Sequence, residues 1–77
     1  MAEVRVFSTP TCPWCRKVKD FLAEKKVRFT ELDVSSDETA RNEMIERSGQ
    51  MGVPVVDIDG TIIVGFDAEK ISEALAL

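Results

Sequence analysis

The sequence predicts an α/β domain of order β-α-β-α-β-β-α, a four-stranded mixed sheet flanked by three helices. Three observations carry this. Short apolar runs of strand length alternate with stretches of helical spacing. Two apolar runs meet at Asp59-Gly60, a strong short hairpin signal. The first three elements form a βαβ unit, which makes strands one and two parallel, with a right-handed crossover.

In "EVRVF", Val4 and Val6 alternate with Glu3 and Arg5, giving a strand that runs into Phe7. "STPTCP" breaks it. From Pro13 the rhythm becomes helical, with Cys15, Val18, Phe21 and Leu22 on one stripe. Pro13 suits the first turn, where backbone N–H groups lack helical partners. "VRFTELDV", residues 27–34, reads as the second strand, and "SSDE" offers a capping box of Ser35 and Glu38. The next helix gathers Ala40, Met44 and Ile45 on one side and stops near Gly49. "PVVDIDGTIIV" is the hairpin. Asp67 caps a last helix whose Ala68, Ile71, Ala74 and Leu75 face inward. Phe7, Phe21 and Phe29 are expected in the core, Met44 and Met51 as packing residues, and Asp57 and Asp59 on a solvated hairpin; Phe66 is left open.

Residues 1–77 suffice for one domain, near the size at which a single core gives marginal stability. Apolar residues at 44% and charged residues at 31% describe a folding chain rather than a disordered one. No basic segment followed by a long apolar run opens the chain, and no stretch reaches membrane-span length. The expected location is therefore cytoplasmic. A net charge of −4 argues against nucleic-acid binding. The basic residues in "RKVK" and at Lys25, Lys26 and Arg28 either tune the cysteine site or form the wet face of a helix.

Cys12 and Cys15 are the only cysteines. As a staple they would close a loop holding only Pro13 and Trp14, and crosslink stabilisation grows with loop length. As metal ligands they supply half a tetrahedral site in a chain without histidine. A metal or iron–sulfur cluster would need a second chain or an added thiol. A redox pair is the stronger reading, since a helix start presents unpaired N–H groups and positive dipole, which stabilise a thiolate. Cys15 lies on the buried stripe and Cys12 ahead of it, so Cys12 is expected to attack and Cys15 to resolve. Trp14 is either an exposed substrate-contacting rim or a side chain tucked against the first helix.

With these motifs in place the chain resembles the glutaredoxins, members of the thioredoxin-fold superfamily. Cys12-Pro13-Trp14-Cys15 resembles the family's Cys-Pro-Tyr-Cys, "MGVPVV" its Thr-Val-Pro segment, and Gly65-Phe66-Asp67 the turn into its last helix. The resemblance implies a cis Pro54 beside the active site and a Val53 backbone free to pair with a peptide or glutathione. It places Thr11, Pro13, Trp14, Val53, Pro54, Gly65, Phe66 and Asp67 at the substrate or glutathione site, Asp67 either accepting the glutathione amino group or serving only as a cap. The implied activity is monomeric thiol-disulfide exchange on protein disulfides or glutathione mixed disulfides, with glutathione as co-substrate and no tightly bound cofactor. Two departures bear on the reductant. Thr9 stands where glutathione-using members commonly carry a lysine, and Val64-Gly65 where they carry Gly-Gly. Gly65-Phe66 also resembles the NrdH-redoxins, which are reduced by thioredoxin reductase. The alternatives are thus such an electron donor or, in another class, a metal or cluster module at a dimer interface.

Overall fold

Residues 3–76 are described by the computed structural model. Strands β1 (Val4–Ser8), β2 (Thr30–Asp33), β3 (Val55–Ile58) and β4 (Thr61–Val64) alternate with helices α1 (Pro13–Glu24), α2 (Glu38–Ser48) and α3 (Ala68–Leu75) in the expected order. The sheet runs β2-β1-β3-β4. β1 is parallel to β2 and antiparallel to β3, and β3 is antiparallel to β4.

The alternation within β1 divides the core in two. Val4 and Val6 join Val18 and Leu22 of α1, Val56 and Ile58 of β3, Ile63 and Ile71 on one face. Phe7 points the other way, to Val34, Val55, and Ala40 and Met44 of α2. Both faces of β1 and β3 are therefore covered, which is why β3 reads as an unbroken apolar run apart from Asp57.

The hairpin turn forms at Asp59 (φ 50°) and Gly60 (φ 93°), two successive left-handed residues that match strand twist in a two-residue loop. α2 ends on Gly49 at φ 74°, whose N–H donates to the Ile45 carbonyl at 2.8 Å.

Several local expectations are corrected. The second strand spans only 30–33, because pairing with β1 begins at Arg5↔Thr30; Val27 and Phe29 instead pack as a loop against the α1 side of the core. The cap of α2 is Asp37, whose carboxylate accepts the Ala40 N–H at 3.0 Å. Ser35 is occupied elsewhere, donating its N–H to Asp33 at 2.9 Å. Ala68 is exposed at the start of α3, leaving Ile71 as its buried residue with Ala74 and Leu75 partly covered. Met51 is 65% exposed, on the loop ahead of β3. Phe21 and Phe29 sit half-buried at the core margin, and Phe66 joins them, its ring edge-on to Phe21 at 5.9 Å. Asp57 is not solvated but 4% exposed, paired with Arg5 at 2.5 Å and accepting the Gly60 N–H at 2.9 Å. Arg5 also meets Glu43 of α2 at 2.8 Å, so the network ties three elements together.

Candidate active site

β1, inside the sheet, ends at Ser8, and a turn carries the chain into α1. The turn closes where Cys12 donates its N–H to the Thr9 carbonyl at 3.4 Å. Cys12 is then the helix cap, with extended backbone (φ −90°, ψ 113°), and Pro13 takes the first helical position, where no N–H is needed. In a cap of this kind a side-chain acceptor meets a free backbone N–H of the first turn. Here the acceptor is sulfur: Cys12 Sγ accepts the Cys15 N–H at 3.2 Å. Both cysteines are free thiols, Cys12 half-buried and Cys15 buried.

This asymmetry has an electrostatic consequence. Burial, reinforced by a hydrogen bond with the Cys12 sulfur, pushes the Cys15 thiol up from 9.0 to about 12. Cys15 is thus a protonated thiol across the physiological range. Lys19, one helical turn on, opposes the shift weakly.

A second segment approaches from β3. Val53 lies just before that strand and outside its ladder, and the Val53–Pro54 bond is cis. The Val53 carbonyl stands 3.9 Å from Cys12 Sγ, within reach of a thiol donor. A third segment is fixed to the second, because Gly65 at φ 80° donates its N–H to the Pro54 carbonyl at 2.8 Å. Trp14, Val53, Pro54, Gly65 and Phe66 line one open groove of about 320 Å³. Its outer wall is Trp14, 54% exposed, which resolves that side chain as rim rather than tucked.

Five of the residues expected at a substrate site thus share one groove next to Cys12. Thr11 and Pro13 do not line it; they are exposed on either side of Cys12, Thr11 on the turn and Pro13 at the first position of α1. Asp67 lies one residue beyond it and is turned to its own helix, accepting the Lys70 N–H at 3.1 Å. The sequence reading missed two features. Lys17 Nζ sits 4.4 Å from the centroid of the Trp14 ring, a contact that the three-residue spacing on a helix could have signalled. Met51 stands exposed on the loop leading to Val53. Among the described residues no group of three or more Cys, His, Asp or Glu is placed to hold a metal, and no helix is long and apolar enough to cross a membrane.

Known proteins share this architecture and sequence. The glutaredoxin family profile matches residues 4–63. An uncharacterised glutaredoxin-like 8.6 kDa protein of the rubredoxin operon of Clostridium pasteurianum is 46% identical over 72 residues, spanning 94% of this chain and 96% of that one. Glutaredoxin 3 of Escherichia coli K12 is 42% identical over 67 residues, covering 87% and 81%. The crystal structure of the thioredoxin-like protein BC3987 superposes with a TM-score of 0.88 at 36% identity, covering 94% of this chain and 99% of that one. A pair of unlike thiols at a helix start, the sheet order around it and these likenesses converge: the chain belongs to the glutaredoxin family of thiol oxidoreductases.

Proposed function

We propose that this protein reduces disulfides through a dithiol cycle at Cys12 and Cys15. The observation that carries the reading is the placement of two unlike thiols within one helix turn. Cys12 is accessible and hydrogen-bonded at sulfur, and Cys15 is buried behind it. In the cycle, Cys12 thiolate attacks a client disulfide; the S–S bond breaks, a mixed disulfide forms, and the client's other sulfur leaves and takes a proton. Cys15 then gives up its proton and attacks Cys12 Sγ, releasing the second client thiol. Two electrons pass to the client, and the protein is left with a Cys12–Cys15 disulfide that an external thiol or reductase must reduce.

The groove supports this reading. A client segment laid along it meets an apolar floor at Val53, Pro54 and Phe66, while Trp14 forms the wall. Thr11 and Pro13 flank the attacking sulfur and Asp67 fixes the start of α3 behind Phe66. We assign clients as proteins with exposed disulfides or glutathione mixed disulfides, with glutathione as co-substrate, no tightly held cofactor, a monomeric working state and a cytoplasmic setting. Reduction through thioredoxin reductase is the second reading, favoured by Thr9 in the place of a glutathione-binding lysine.

A coupled assay tests both. Oxidised protein is offered either glutathione with glutathione reductase or thioredoxin reductase, each with NADPH, and insulin disulfide reduction is followed. Turnover with either system supports the activity and names the reductant; a chemically reduced protein that leaves insulin disulfides intact overturns it.

A further inference from the structure

The two edges of the sheet are guarded differently. β2, at one edge, carries Glu31 and Asp33, and Lys19 of α1 pairs with Glu31. Charges of this kind keep an edge from pairing with another strand. β4, at the other edge, reads Thr-Ile-Ile-Val, without charge or proline, and Val64 is exposed. The register shows where its backbone groups point. The Gly65 N–H goes to the Pro54 carbonyl, and antiparallel pairs alternate between bonded and unbonded, so Val55↔Val64 and Asp57↔Ile62 are unbonded pairs. The N–H and C=O of Ile62 and Val64 therefore face away from β3, and among the described residues no strand lies beyond them.

The topology brings this edge to the reacting sulfur. β1 ends, β3 starts and β4 ends at the same end of the sheet, so Cys12, Val53-Pro54 and Gly65-Phe66 follow one another across it in strand order. The groove that these segments line thus opens at the outer corner of β4, next to Val64. Beside the same strand, Thr61, Ile62, Ile63 and Ala74 border an open cleft of about 400 Å³ rimmed by Lys70 and Glu73 of α3. Unpaired backbone groups on an edge, with a cleft beside them for alternate side chains, are the two components of strand addition. Lys70 and Glu73 are of opposite sign, so the rim favours no net charge.

We propose that the β4 edge receives the uncharged, extended stretch of a protein client that flanks its reacting cysteine, as an added strand paired with the backbone of Ile62 and Val64. The inference rests on the thiol-disulfide activity proposed above and names its substrate class: disulfides in segments that can unfold locally and extend. A client chain lying in the groove leaves it at Val64, and Ile62 is only about 7 Å further along the strand, so about three residues beyond the groove reach both. A small disulfide such as hydroxyethyl disulfide is too short to do so.

Peptide disulfides of graded length provide the test. A short peptide ends one residue beyond the reacting cysteine; longer ones carry additional uncharged residues on its N-terminal or its C-terminal side, and a matched set is N-methylated along the extension. One of the two extensions is expected to raise kcat/KM about tenfold over the short peptide, the worth of a pair of main-chain hydrogen bonds, and N-methylation to remove the gain. In the mixed disulfide trapped on Cys15→Ser, amide hydrogen exchange at Ile62 and Val64 should slow with that extended peptide and not with the short one.

Equal kcat/KM for short and long peptides, or unchanged exchange at Ile62 and Val64 in the trapped complex, overturns the proposal. Protection of these two amides in peptide-free protein that grows with protein concentration would assign the edge to a second copy of the chain, which also overturns it. Failure of the short and the long peptides alike to form a mixed disulfide would instead overturn the underlying activity.

Discussion

At the scale of residues, the site works by making two chemically identical side chains unlike. Cys12 caps α1 and stays within reach of solvent, whereas Cys15 is sealed beneath it. The raised Cys15 value has a consequence for stability that can be measured. The thiol is held protonated in the folded, reduced protein up to about pH 12, while an unfolded thiol ionises near 9.0. Between those values the folded state binds more protons than the unfolded one, so the stabilising contribution, complete below the lower value, is lost as pH rises through the higher. Reduced protein should therefore lose stability across this alkaline window more steeply than a Cys15→Ala variant. Urea titrations of both at several pH values check this; parallel curves would contradict it. The helical spacing of Cys15, Val18 and Leu22 made this difference in burial legible in the sequence. The sulfur–amide bond at the cap was not legible there, because it depends on a rotamer rather than on spacing.

At the scale of elements, periodicity identified every helix and strand, and the errors fell where local hydrogen bonding competes. Ser35 and Asp37 are both good cap residues, and the choice between them is made by Asp33, which engages Ser35 in a turn of its own. Asp37→Ala should accordingly destabilise the protein by about 1 kcal/mol, and Ser35→Ala by no more than about 0.5 kcal/mol. Thermal denaturation of the two variants distinguishes the observed cap from the Ser35 capping box that the sequence suggests. The second strand was overestimated for a different reason. Val27 and Phe29 are apolar because they cover the margin of the core, and burial in a loop leaves the same trace in composition as burial in a strand. Asp57 shows the converse: an acid in a hairpin reads as solvated until Arg5, fifty-two positions away, is brought against it.

At the scale of the whole molecule, two modest cores on opposite faces of one sheet hold three segments, the turn before α1, the loop before β3 and the end of β4, around a single sulfur. Stability in so small a chain rests on few side chains. Leu22→Ala, in the fully buried set, should cost about 2–5 kcal/mol and bring the protein close to unfolding at room temperature. Met51→Ala, at an exposed apolar residue, should change stability by less than about 0.5 kcal/mol; denaturant titration reads both. The topology was legible from element order, because a βαβ unit followed by a hairpin leaves few ways to close a sheet. The groove was legible only through resemblance, since its walls come from positions some forty to fifty residues apart in sequence. The central claim, that Cys12 attacks and Cys15 resolves, is tested most directly by trapping. Each single Cys→Ser variant is mixed with a disulfide-bonded client at neutral pH, and the adduct is mapped by mass spectrometry. The account predicts a persistent mixed disulfide through Cys12 in Cys15→Ser and little or none in Cys12→Ser. A stable adduct through Cys15 in Cys12→Ser, with Cys12 inert in the other variant, would contradict it.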